Sequence, residues 1–219
     1  VTVKVKICGV RTPDILDAAI SAGADYVGLM IFAKSPRHLK TEDAAALATA
    51  ARGRVSTVAV MVDPDDSLVD EVVGQVRPDY FQLHGTESPE RVRAVKARAG
   101  RPVIKAIHVG QAADVARQDA YATAADQILF DAKAAPGALL PGGNGVAFDW
   151  AVLRGARAPF ALSGGLHPGN VAEAVRQTRP GMVDVSSGVE TAPGIKDAAL
   201  ITQFIQAARA AARTQARAS

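Results

Sequence analysis

Eight short apolar or β-branched runs alternate with eight helical patterns along this chain, and nothing else in the sequence constrains the fold as strongly. The runs begin near Val3, Tyr26, Val55, Tyr80, Val103, Gln127, Phe160 and Met182. Helical patterns occupy 13–22, 41–51, 65–76, 89–98, 112–119, 148–153, 168–177 and 196–213. Thr12-Pro13-Asp14 and Ser88-Pro89-Glu90 each supply a capping hydroxyl, a first-turn proline and an early carboxylate, which together start a helix. Gly23, Gly53 and Gly100 stand where helices should stop. Three units enter their strands alike, through Ala24-Asp25-Tyr26, Pro78-Asp79-Tyr80 and Ala125-Asp126-Gln127.

Strand then helix, eight times in 219 residues, predicts the α/β class and a minimal (β/α)8 barrel, the TIM-barrel architecture, as one domain spanning 1–219. An open doubly wound sheet is the alternative, but no GxGxxG fingerprint follows the first strand.

Charge and cysteine content narrow the function. Lys+Arg 25 against Asp+Glu 22 leaves a net charge of +3 with no dense basic block, so nucleic acid is not an expected partner. No apolar run is long enough to span a bilayer, and the start VTVKVKICGV does not read as a signal peptide. The single cysteine, Cys8, excludes an internal disulfide and a Cys-rich zinc site, which fits a cytoplasmic protein. The four histidines lack paired helical spacing, and neither a metal nor an organic cofactor is expected. The oligomeric state, monomer or homodimer, is not legible.

A barrel carries its active site at the C-terminal ends of its strands. Alternation along the first strand sends Val5 and Ile7 toward the helices and Cys8 into the mouth. In the sixth strand Ile128 and Phe130 take the helix side and leave Asp131 inside. Taken singly, Cys8 is a small hydrophobe, Asp131 a loop cap and Arg37 a solvated cation. Their shared placement makes a thiol and a carboxylate face each other across one opening. The glycine-bearing loops Ser163-Gly164-Gly165 and Ser186-Ser187-Gly188, the first leading into a helix, suit a phosphate. Arg37, beside Pro36, offers a planar fork for a carboxylate.

These residues sit in a longer series of motifs. In order they are Lys6-Ile7-Cys8-Gly9-Val10, Ser35-Pro36-Arg37, Gln82-Leu83-His84-Gly85, Phe130-Asp131-Ala132, Gly142-Gly143-Asn144-Gly145, Ser163-Gly164-Gly165-Leu166 and Asp184-Val185-Ser186-Ser187-Gly188-Val189-Glu190. The series resembles the phosphoribosylanthranilate isomerase family of tryptophan biosynthesis, from the first strand to the last helix. The resemblance implies a cofactor-free Amadori rearrangement, with Cys8 as general base and Asp131 as general acid. It also implies that Arg37 holds the anthranilate carboxylate and that Gly164, Gly165, Ser187 and Gly188 hold the phosphate, with His84 and Asp184 as further substrate contacts. An acidic role for Asp131 asks for a carboxyl raised by burial or a nearby anion.

Asn144 stands where the family commonly has threonine, and the apolar stretch 134–141 lengthens the loop after the sixth strand, a candidate lid over 132–147. Three other readings compete. A phosphoribosyl aminoimidazole isomerase would carry an aspartate at the position of Cys8. A sugar-phosphate epimerase would bring metal-binding His and Asp residues to several strand ends. A catalytically silent barrel would be free to lose Cys8 or Asp131.

Overall fold

The computed structural model describes residues 3–133, 148–157 and 159–218. Eight parallel strands close into a barrel in the order β1-β2-β3-β4-β5-β6-β7-β8. They are β1 Lys4–Cys8, β2 Tyr26–Met30, β3 Ser56–Met61, β4 Tyr80–Leu83, β5 Val103–Val109, β6 Gln127–Ala132, β7 Ala161–Leu162 and β8 Met182–Val185. The outward residues of the strands, among them Val5, Ile7, Phe81, Phe130 and Val183, are buried against the helices. A second apolar cluster fills the barrel itself, with Val58, Val60, Ile104, Ala106, Leu129 and Met182.

The repeated aspartate at the strand entries has a specific task. Asp25 Oδ2 accepts from the N–H of Val5, Asp79 Oδ2 from that of Thr57, and Asp126 Oδ2 from that of Val103, at 2.8–2.9 Å. Each aspartate lies just before an even-numbered strand and clamps the start of the odd-numbered strand beside it. The same three residues donate their own N–H groups to the carbonyls of Val5, Thr57 and Val103. The bottom of the barrel is therefore pinned by a motif the sequence repeats.

Helices α1 Pro13–Ala22, α2 Thr41–Ala51 and α4 Pro89–Ala99 keep their expected bounds to within a residue, with Thr12 and Ser88 accepting from Ile15 N and Arg91 N as caps. Other units depart from the regular pattern. The third helix is α-helical only over α3 Asp66–Glu71 and widens to a π-turn at Val72–Val76. The fifth is one turn, α5 Ala112–Val115, continued as a 3-10 segment, and the unit expected over 148–153 is a 3-10 turn at Trp150–Gly155. Helix α6 begins at Val171, three residues beyond Pro168. A short hairpin, β9 Glu190–Ala192 with β10 Ile195–Lys196, precedes the last helix α7 Ala198–Ala218, so Lys196 lies in a strand where a helix was expected.

Candidate active site

Cys8 ends β1 and faces the barrel interior. Two residues earlier on the same face lies Lys6, whose side chain is wholly buried. Its Nζ donates to Asp184 Oδ1 across the β1–β8 pairing, at 3.0 Å. Opposite Cys8 in the register is Gly28 of β2. A Cβ on Gly28 would meet Cys8 Sγ at 2.9 Å and Lys6 Nζ at 3.2 Å, so the missing side chain makes room for the thiol and the ammonium together. Burial lifts the Cys8 thiol above its ordinary value, against the downward pull of Lys6. Burial also works to discharge Lys6, but Asp184 and Cys8 together hold its ammonium above the usual lysine value.

Asp131, buried at the end of β6, is joined to His84 by a 3.0 Å bond from His84 Nε2 to Oδ2. Gln82 Nε2 donates to His84 Nδ1 at 2.9 Å, which leaves the ring proton on Nε2, toward the aspartate. His108 of β5 stacks edge-on against His84 and donates through Nε2 to its carbonyl oxygen. The condition that an acidic role sets is opposed here. Burial does push Asp131 upward, but the hydrogen bond from His84 and the electrostatic pull of the His84 and His108 rings outweigh it and hold the carboxyl below its usual range. His84 thus touches the aspartate directly and also lines the cavity. His84, His108 and Asp131 also offer ligand atoms within 4.8 Å of one another, but a metal there would have to displace the bond between His84 and Asp131.

The strand-four loop that carries His84 is fixed by a buried ion pair. Lys105 Nζ donates to Glu87 Oε2 at 2.6 Å and to the Gly85 carbonyl at 2.8 Å, while Glu87 accepts from the N–H groups of Gly85 and Asp63.

Arg37 is not the solvated cation that its type suggests. Its Nε and Nη2 form a fork on Glu190 at 2.8 Å each, in a nearly dry environment. Lys196 Nζ reaches the same carboxylate at 2.6 Å. Burial alone would raise Glu190, but Arg37 and Lys196 bring it down to about 2. The Ser35 hydroxyl accepts from the N–H of Arg37 and sets the turn. Among the described residues, Arg37 Nη1 has no protein partner.

The loops after β7 and β8 lie against each other. Gly164 and Gly165 have φ of +90° and +63°, in the region glycine tolerates. Their N–H groups meet no acceptor among the described residues. Asn170 closes this loop from below, accepting from His167 N and donating to the Gly165 carbonyl. A Cβ on Gly188 would strike the Leu166 carbonyl oxygen at 1.9 Å, so this glycine serves the contact between the loops and does not itself line the cavity.

Cys8, Arg37, His84, Asp131, Gly164, Gly165, Asp184 and Ser187 all line one opening of about 660 Å³. Met30, Phe32, Val60 and Val62 add an apolar wall. Sequence reasoning missed this wall, along with Lys6, Gly28, Gln82 and Glu190. A glycine inside a strand and a lysine on an inward-facing position were the available signals for Gly28 and Lys6. Asn144 and nearly all of the 132–147 loop lie outside the described residues.

Comparison with known proteins agrees with this geometry. The family model for N-(5'-phosphoribosyl)anthranilate (PRA) isomerase matches residues 5–207. The chain is 54% identical over 215 residues to the N-(5'-phosphoribosyl)anthranilate isomerase of Rhodopseudomonas palustris (strain HaA2), covering 97% of this chain and 99% of that protein. It superposes on the phosphoribosyl anthranilate isomerase of Thermotoga maritima with a TM-score of 0.84 at 36% identity, covering 95% of this chain and 99% of the other. A phosphoribosyl anthranilate isomerase solved in complex with reduced 1-(o-carboxyphenylamino)-1-deoxyribulose 5-phosphate gives 0.82 at 34% identity, with the same coverage.

Proposed function

The chain belongs to the N-(5'-phosphoribosyl)anthranilate isomerase family, and from that premise we propose that it converts N-(5-phosphoribosyl)anthranilate to 1-(2-carboxyphenylamino)-1-deoxyribulose 5-phosphate in tryptophan biosynthesis, with Cys8 as base and Asp131 as acid. One observation carries this reading: a thiol and a carboxylate from strands three steps apart around the ring line the same cavity.

The rearrangement begins when a proton reaches the furanose ring oxygen as its C–O bond breaks. Asp131 supplies this proton, and the Nε2–H of His84 orients the carboxyl and steadies the carboxylate left behind. The substrate brings a phosphate and a carboxylate into the cavity, and both anions favour the protonated carboxyl. The ring-opened Schiff base is acidic at the neighbouring sugar carbon. The Cys8 thiolate takes that proton, the C–H electron pair becomes the C=C bond of an enolamine, and tautomerisation gives the ketone. Cys8 and Asp131 need no help from a redox group for these proton transfers.

Binding follows from the rest of the lining. The N–H groups of Gly164, Gly165 and Ser187 receive the phosphate. Arg37, steadied by Glu190, receives the anthranilate carboxylate through its remaining edge, and the wall of Met30, Phe32, Val60 and Val62 receives the aromatic ring. The test is the loss of anthranilate-type fluorescence on adding purified protein to freshly made substrate without cofactor. Cys8→Ser and Asp131→Asn should each lower turnover by orders of magnitude with unchanged circular dichroism. Full activity in either variant would remove that residue from the scheme.

A further inference from the structure

A lysine with 0% of its side chain exposed, inside a barrel and two residues from a thiol that faces the cavity, requires an explanation. Lys6 has two close neighbours to satisfy its charge, Asp184 Oδ1 at 3.0 Å and the Cys8 thiol, and the Gly28 gap brings Nζ and Sγ against the same bare patch of β2. We propose that Lys6 is a positioning residue for the base: held in place by Asp184, its ammonium is the counter-charge beside which the Cys8 thiolate forms. This rests on the reading of Cys8 as the base and explains how a thiol in a dry cavity can serve as one.

The charges around the thiol are few. Lys6 comes from its own strand, Asp184 from β8 and Lys196 from β10, while Gly28 of β2 contributes none. Lys196 is already committed to Glu190 and to the Ser186 carbonyl. Lys6 is therefore the cation with a share left for sulfur. When Cys8 takes the substrate proton, an S–H bond forms and the negative charge leaves sulfur. Lys6 then remains balanced by Asp184, so it needs no proton movement of its own. A lysine present only to pair with Asp184 would fill the same space without influencing Cys8, and that difference can be measured.

Because Cys8 is the sole cysteine of the chain, its titration can be followed without background, by isotope-edited NMR of the cysteine Cβ in the unliganded protein. Asp184→Asn removes the anion that opposes the thiolate and should move the Cys8 midpoint down. Adding Lys6→Met to Asp184→Asn leaves no unpaired buried charge and should move the midpoint back up by about one unit or more, roughly a tenfold loss of thiolate at neutral pH. The acidic limb of kcat/KM should follow the same shifts. Equal midpoints with and without Lys6 would overturn the proposal. Should the double variant fail to fold, an unchanged or raised midpoint in Asp184→Asn alone would do so. The titration needs no substrate, so a protein that titrates as described but fails to isomerise refutes the assigned activity and leaves the coupling of Lys6 to the thiolate standing.

Discussion

His84 Nε2 lies 3.0 Å from Asp131 Oδ2, and this bond makes the carboxylate at the end of β6 more acidic than an ordinary aspartate. In the proposed acid role of Asp131, the Nε2–H of His84 steadies the carboxylate that remains once the proton is given up.

Removing His84 should expose that dependence. Without the imidazole, the carboxyl of Asp131 rises, and the carboxylate left after proton transfer loses its hydrogen-bond donor. We expect His84→Asn to lose about 10–100-fold in kcat at neutral pH, within the range of general acid catalysis, with the limb of the pH–rate profile that reports the acid moved to higher pH. A pH–rate profile of both proteins checks this. A loss of the same size at every pH would assign His84 to packing or substrate contact alone.

Glu190 gives the stability its own pH signature. Its folded value of about 2 lies below its ordinary 4.5, so the carboxylate stabilises the fold fully above that ordinary value. The contribution is lost as pH drops through the window from 4.5 to about 2. In Glu190→Gln this part of the acid decline should vanish, so denaturant melts across the window should fall less steeply than for the unaltered protein. The same variant loosens the Arg37 fork and should raise KM more than it lowers kcat. Parallel acid profiles for the two proteins would contradict the assignment.

The aspartate clamp at the opposite face should affect stability and leave chemistry alone. Asp79→Ala deletes the bonds to the Thr57 N–H and hydroxyl. It should cost about 1.5–3 kcal/mol in urea unfolding, the usual worth of a hydrogen bond to a charged group, with kcat unchanged. A several-fold fall in kcat would mean that the two ends of the barrel are coupled.

Much of this arrangement was legible in the residues. Period-two alternation sent Cys8 and Asp131 inward, because a strand has no other way to place them once Ile7 and Phe130 seek the helix layer. The entry aspartates were visible as a repeat, though their reach to the neighbouring strand was not, since that depends on register. Glu190 was quoted within a motif and still missed as the partner of Arg37, because a pair separated by 153 positions is joined only by barrel closure. The hairpin β9–β10 was hidden for a local reason: it is two and three residues long, and its lysine precedes a strong helical pattern that absorbed it. The direction of the Asp131 shift was not legible, because it depends on the imidazole of His84, which only the fold brings beside the carboxyl.

The proposed rearrangement requires Cys8 and Asp131 to flank one bound sugar. A crystal structure of this protein with the reduced product analogue, 1-(o-carboxyphenylamino)-1-deoxyribulose 5-phosphate, tests it directly. The phosphate should sit on the N–H groups of Gly164, Gly165 and Ser187, Cys8 Sγ against the second sugar carbon, and the Asp131 carboxyl within hydrogen-bond reach of the hydroxyl derived from the ring oxygen. A ligand seated with either Cys8 or Asp131 out of reach of the sugar would contradict it.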